Sequence, residues 1–424
     1  MDTCVLKVAR LGEGKIDSPC AGRALTNERI DLDVGLGLQT DYENLQRYSL
    51  ELAGARKKIY FDPQKMRVAI VSCGGICPGI NSVIKSIVNT AHRVYGIPSI
   101  YGFRFGLNGL NPKYHLEYLT LTPERVNTID LAGGSFLGTS RGPQPSDVIV
   151  DTLIRMNISC LFVIGGDGTM RAAHAIHKQI AAQGMNISVI GVPKTIDNDI
   201  NFVQESFGFN TAVEKAADVI DNAFIEASSV YNGLAFVNLM GRESGFIAAS
   251  ASLSALETDL VLIPEVRLDD ELLEGMFTHL EACVRRKNYA IAVVAEGAGQ
   301  ELFPEETLEV DASGNVKFKD STKFIMEKSL QFLREKGLDC YPKYFAPGYL
   351  IRSVPANAYD KAYSSQLGAL AVHACMSGHT DLVVTKLNGN YVYIPLELVT
   401  REKKRINIHS LYWRSVLEKT GQPA

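Results

Sequence analysis

Five times along this chain a run of apolar residues ends in a glycine- or acid-rich turn, and most of these turns lead into a helical stretch. Arg67 to Cys73 (Val68, Ala69, Ile70, Val71) runs into Gly74-Gly75-Ile76-Cys77-Pro78-Gly79, and Cys160 to Ile164 runs into Gly165-Gly166-Asp167-Gly168-Thr169. Ile187, Val189, Ile190 and Val192 precede Pro193-Lys194-Thr195-Ile196-Asp197-Asn198-Asp199. Gly233 to Asn238 leads to Met240-Gly241-Arg242-Glu243-Ser244-Gly245, and Tyr289 to Ala295 leads to Glu296-Gly297-Ala298-Gly299. Strands this uniformly apolar are buried on both faces, so the alternation predicts an α/β chain with mostly parallel sheets covered by helices. In such sheets the polar turns after the strands collect at one edge, where ligands bind.

The plan before and after about residue 209 predicts two similar Rossmann-like three-layer lobes. The first spans 67–208 and is joined by about 353–400; the second spans 209–352. Residues 401–424 form a C-terminal helical segment that starts its helix near Ser410. Further helices are expected from about Ser146, at about 210–228, 269–286 and 359–376, with strands at Glu257 to Pro264 and near 381–386. Residues 300–319 read as a polar loop or hairpin around Ser313-Gly314. Residues 1–66 lack a strand-helix rhythm and are expected to wrap the domain as an extension, at a subunit contact.

Composition excludes several classes. The net charge of -4 over 424 residues offers no basic excess to neutralise a nucleic-acid backbone. No apolar run approaches the roughly 20 residues that span a bilayer, and residues 1–30 have no signal-peptide core. The eight cysteines form no CxxC pair, which suits reduced thiols of an intracellular protein, so a cytoplasmic location is expected. His174 and His177 have the spacing of metal ligands but no cysteine or carboxylate set around them, and they read as structural.

The turns carry the chemistry. Gly74 to Gly79 opens a helix, where backbone N–H groups and the helix dipole attract phosphate, although it is neither GxGxxG nor GxxxxGK[ST]. Gly133-Gly134-Ser135-Phe136-Leu137-Gly138-Thr139-Ser140-Arg141-Gly142 adds hydroxyls and one guanidinium; otherwise it is a plain connection. In Gly165 to Thr169, Asp167 either holds a hydrated Mg²⁺ bridging phosphates or caps the next helix. In Pro193 to Asp199 a lysine, a hydroxyl and two acids suit a phosphate substrate with a metal nearby, or else form an Asx-rich turn.

Together, GGICPG, GGSFLGTSR, GGDGT, PKTIDND, MGRESG, EGAG and PGYLIRS, in this order along 66–352, resemble the 6-phosphofructokinase family. The closest likeness is to its long plant, protist and bacterial forms, which are related to pyrophosphate-dependent enzymes but mostly use ATP. The resemblance implies transfer of a phosphoryl group from ATP to the 1-hydroxyl of fructose 6-phosphate, with ATP and Mg²⁺ in the first lobe and the sugar phosphate in the second. It implies Asp197 as catalytic base, Thr195 and Asp199 as its support, and Asp167 as the metal carboxylate. Gly75 and Arg141 would line the transferring phosphate, with Gly166, Gly168, Thr169 and Lys194 around the donor. Met240, Gly241, Arg242 and Glu296 would form the sugar wall, and Lys343, Tyr349 and Arg352 would clamp the 6-phosphate. A glycolytic, allosteric homo-oligomer, dimeric or tetrameric, is also implied.

Two departures stand out from the bacterial-type pattern. The stretch Ser228-Ser229-Val230-Tyr231-Asn232-Gly233-Leu234 lacks the arginine that a partner subunit would lend, and Tyr349 replaces a histidine. On the donor, pyrophosphate-dependent relatives carry an aspartate where Gly168 stands and a lysine where Lys194 stands. Gly168 leaves room for the α-phosphate of ATP, while Lys194 suits either donor, so ATP is favoured and a pyrophosphate-dependent phosphotransferase is the alternative. A silent regulatory subunit disagrees with the filled catalytic positions, and a lipid or NAD kinase would explain GGDGT alone.

Overall fold

The computed structural model describes residues 4–34, 46–304, 309–310 and 316–423. Two sheets organise them. In the larger one, Leu382–Leu387, Ser188–Pro193, Cys160–Gly165, Arg67–Ser72 and Ser99–Phe103 lie side by side and parallel. The second sheet is wholly parallel, in the order Leu260–Leu262, Tyr289–Ala295, Gly233–Leu239, Tyr341–Phe345. Val68 to Val71, Leu161 to Ile164 and Ala290 to Ala295 are almost completely buried, as strands covered on both faces must be. The α/β reading therefore holds.

Helices start where the local chemistry allows. Phe209–Ser228, Ala358–Met376 and Leu411–Thr420 fall within a residue of expectation. Asp270–Lys287 begins after Asp269, whose carboxylate accepts from Leu272 N at 2.8 Å. The strand expected from Glu257 to Pro264 shrinks to Leu260–Leu262. Its acidic start is diverted to Lys287, whose ammonium sits 2.5 Å from Glu257 and 2.6 Å from Asp259. Short antiparallel strands Glu309–Val310 and Val316–Lys317 bracket the expected hairpin, while Ser313-Gly314 lies outside the described residues.

The first 66 residues do more than wrap. Arg29–Val34 pairs with Gln46–Leu52, which pairs antiparallel with Asn390–Pro395 and so extends the larger sheet. Arg29-Ile30-Asp31-Leu32-Asp33-Val34 alternates polar and apolar residues, a strand signal visible in the sequence. The join is made by the buried Glu51, which accepts from Arg10 at 2.5 Å, His379 at 2.7 Å and Arg56 at 3.1 Å. Burial alone would raise this carboxyl, but His379, Arg10 and Arg56 hold it down to about 2.

Candidate active site

The turns that follow the strands of both sheets face one another across a cavity of about 1020 Å³. Gly75, Arg141, Gly166, Asp167, Gly168, Thr169, Lys194, Thr195, Asp197 and Asp199 line it from the larger sheet's side, and Met240, Arg242, Glu296, Tyr349 and Arg352 complete it. All of these are candidates named from the sequence, and the fold gathers them because parallel strands place their outgoing turns on one edge.

Asp197 is the strongest candidate base. Its backbone N–H donates to Thr195 Oγ1 at 3.0 Å, and Ser244 Oγ donates to its carbonyl at 3.0 Å. The turn is thus fixed from both sheets while the carboxyl is left over: Oδ1 is buried with no hydrogen-bond partner among the described residues. Burial, then the charges of Asp199 and Glu296, push this carboxyl up to about 7, against the pull of Arg352 and Lys403. A carboxylate poised there takes a proton from a substrate hydroxyl far more readily than an ordinary one.

Asp167 is the first residue of the Asp167–Ala182 helix and pairs with Arg171 at 2.6 Å. Burial raises its pKa, offset by Arg171 and Lys403. With Asp199 it offers oxygen donors to the cavity, but no group of three His, Cys, Asp or Glu side chains is arranged around a metal position among the described residues. His174 bonds Asp381 at 2.8 Å and His177 bonds Thr380 at 3.2 Å, in keeping with their structural reading.

The cations meet at Gly75. A Cβ there would lie 2.8 Å from Arg352 Nη1 and 3.4 Å from Arg141 Nη2, so a side chain at this position would push the guanidiniums aside. Among the described residues no carboxylate ion-pairs with either one. Two like charges converging without a counter-ion make an anion site. Burial, then Arg141, lowers the pKa of Arg352, and its guanidinium lies 4.8 Å from the centre of the Tyr349 ring. Lys194 is buried and donates to Gly75 O at 2.7 Å, bracing the first glycine turn from within the cavity lining. A Cβ on Gly168 would meet nothing within 4 Å, so the space beside the helix start is open.

On the facing side, burial raises the pKa of Glu296, with Arg242 opposing, and Arg242 lies 4.2 Å from the Phe318 ring. Gly241, at φ 141°, stands behind this wall and accepts from Gly297 N at 3.0 Å. A Cβ on Gly297 would fall 1.9 Å from Arg242 O, which is why the EGAG and MGR turns pack so closely. Lys343 is not brought into the cavity: its ammonium pairs with Glu226 at 3.0 Å. Arg352, expected at the far phosphate clamp, is gathered instead with Gly75 and Arg141. Lys403 and Glu243 also line the cavity and were missed; the only hint of Lys403 was the cationic run Arg401 to Arg405.

A family model described as Phosphofructokinase matches residues 67–375. The chain is 43% identical to the ATP-dependent 6-phosphofructokinase of Borreliella burgdorferi over 98% of this chain and 96% of that protein. It is 43% identical to the enzyme of the same name from Amycolatopsis methanolica, over 99% and 95% of the two chains. Among solved structures, a pyrophosphate-dependent phosphofructokinase from Marinobacter aquaeolei superposes with a TM-score of 0.69 at 20% identity, covering 84% of this chain and 92% of that one. At that identity the likeness bears on the fold alone.

Proposed function

This chain belongs to the phosphofructokinase family, and from that premise we infer that it is an ATP-dependent 6-phosphofructokinase, making fructose 1,6-bisphosphate in glycolysis. One observation carries the site assignment: a buried carboxylate oxygen on Asp197, unpartnered among the described residues, shares a cavity with two guanidiniums that no carboxylate among those residues ion-pairs. A hydroxyl to deprotonate and a phosphoryl group to neutralise are what such a pair would serve.

In this reading the 1-hydroxyl oxygen of fructose 6-phosphate attacks the γ-phosphorus of ATP. The new O–P bond forms as the bond to the β,γ-bridging oxygen breaks, ADP leaves, and the hydroxyl proton passes to Asp197. Thr195 holds the turn that aims this carboxylate. Arg141 and Arg352 stabilise the charge that spreads over the transferring phosphoryl group. Arg242, Met240 and Glu296 orient the sugar, and Tyr349 holds Arg352 in place by ring contact. Asp167, with Asp199 behind it, fits Mg²⁺, because this ion keeps several waters and needs only one or two protein carboxylates besides phosphate oxygens. When bound, it would neutralise charge on the donor phosphates.

The lobe built on the larger sheet is taken as the ATP and Mg²⁺ lobe, and 209–352 as the sugar-phosphate lobe. A cytoplasmic homo-oligomer, dimeric or tetrameric, with allosteric control is the corresponding assembly. Lys343, paired with Glu226 away from this chain's cavity, is given no contact with the substrate in this reading.

Donor choice rests on Gly168, since the open space beside it admits a nucleotide's α-phosphate, whereas Lys194 already serves Gly75 O. Initial rates with fructose 6-phosphate, Mg²⁺ and either ATP or pyrophosphate test this. Fructose 1,6-bisphosphate formation is expected to be about 10²-fold or more efficient with ATP. Efficient turnover with pyrophosphate and none with ATP would establish the alternative.

A further inference from the structure

The site turns lie between 74 and 352, yet a segment beyond the 67–375 family match packs against two of them. Lys403 bridges Ile200 in antiparallel register, and Lys404 N donates to Asp199 O at 2.9 Å. Lys404 Nζ donates to Asn198 Oδ1 at 2.8 Å, Val203 O at 2.6 Å and Gln204 O at 3.1 Å. Asn198 is buried between the two aspartates at φ 54°, in the left-handed region, and its Oδ1 also accepts from Ser206 N at 3.1 Å. One ammonium thus closes the turn from behind.

The same segment grips the other sheet. Lys403 Nζ lies 2.6 Å from Glu243 Oε1 and 3.8 Å from Asp199 Oδ2. Ile406 N donates to Glu265 Oε1 at 2.8 Å, and that carboxylate also accepts from Gly245 N. Within four residues the strap spans from the Asp197–Asp199 turn to the Met240–Gly245 turn.

We propose that residues 403–406 are a positioning element of the active site, with Lys404 holding the turn that carries Asp197 and Asp199 in register with the sugar-binding wall. The proposal rests on the phosphofructokinase reading above. The proton acceptor and the sugar wall belong to different sheets, so their register has to be held by something that touches both. A misplacement of about 1 Å at a reacting centre costs on the order of 10²-fold in rate.

Lys404→Met is expected to lower kcat by about 10- to 100-fold while the KM values for ATP and fructose 6-phosphate stay within about threefold. Asn198→Gly keeps a residue at ease with positive φ but removes the acceptor, and should give a similar kcat loss. Because the two substitutions share the Lys404–Asn198 contact, the double variant should lose less than the two single losses combined. Thermal melts accompany each assay. A lowered Tm with unchanged kcat in both singles, or fully additive losses, would overturn the inference. If Lys404→Met does not fold, Asn198→Gly alone decides. Wild-type turnover in the same assay keeps the two readings separate: its absence would count against the function itself, not the strap.

Discussion

Asp197→Ser is expected to lower kcat by about three to four orders of magnitude, with the KM for fructose 6-phosphate changed by no more than about threefold. The reason is the division of labour in its turn. Thr195 and Ser244 hold the backbone of residue 197 and Lys404 N holds that of Asp199, so serine can occupy the turn without disturbing the wall formed by Met240, Arg242 and Glu296. What is lost is the carboxylate whose Oδ1 has no other partner among the described residues. Removing the buried charge also frees Arg352 and Lys403 from one source of attraction, which favours rather than weakens phosphate binding. Steady-state kinetics on the purified variant make the measurement, and a kcat within tenfold of wild type would remove Asp197 from the role of base.

Arg352→Met should lower kcat/KM by about 10² to 10³-fold. Methionine keeps the apolar stem but removes the guanidinium, and with it the ring contact to Tyr349 and one of the two cations that converge on Gly75. The remaining Arg141 is exposed and sits on a glycine-rich loop, so it cannot replace a partly buried cation braced by an aromatic ring. Relief of Arg352–Arg141 repulsion should leave the unliganded protein at least as stable, so the rate loss is expected without a fall in Tm. The check is kinetics paired with a thermal melt. Full activity would mean that the guanidinium pair does not face the transferring group.

Much of this site was legible because its motifs are local. A buried strand followed by GGDGT or PKTIDND specifies both an element and the edge at which its side chains emerge, so Asp167, Thr195, Asp197 and Asp199 could be named from spacing and resemblance. Side-chain direction was not legible. Lys194 looked like a donor contact, and in the fold its ammonium also donates to Gly75 O, a bracing bond that the sequence does not show. Lys343 and Arg352 are nine residues apart in one segment, yet one pairs with Glu226 and the other reaches Gly75. Lys403 and Lys404 carried no motif, because a strap acts through backbone bridges and carbonyl acceptors that any cationic run could supply. The N-terminal strands were missed although Arg29 to Val34 alternates, since an edge addition built of strands alone has no helix to set a rhythm.

The pH dependence of kcat/KM tests the central claim most directly. A carboxyl that ionises near 7 must lose its proton before it can accept another, so the rate should fall as pH drops below about 7. Burial and the charges of Asp199 and Glu296 hold the Asp197 carboxyl up, so the limb is an apparent value for Asp197 in their field. In Asp197→Ser the residual rate should lose that limb and keep only the titrations wild type shares, that of the substrate phosphate and, on the alkaline side, that of Lys404, which burial lowers to about 7. A wild-type acid limb near 4, or a limb near 7 that survives in the variant, would contradict Asp197 as the proton acceptor.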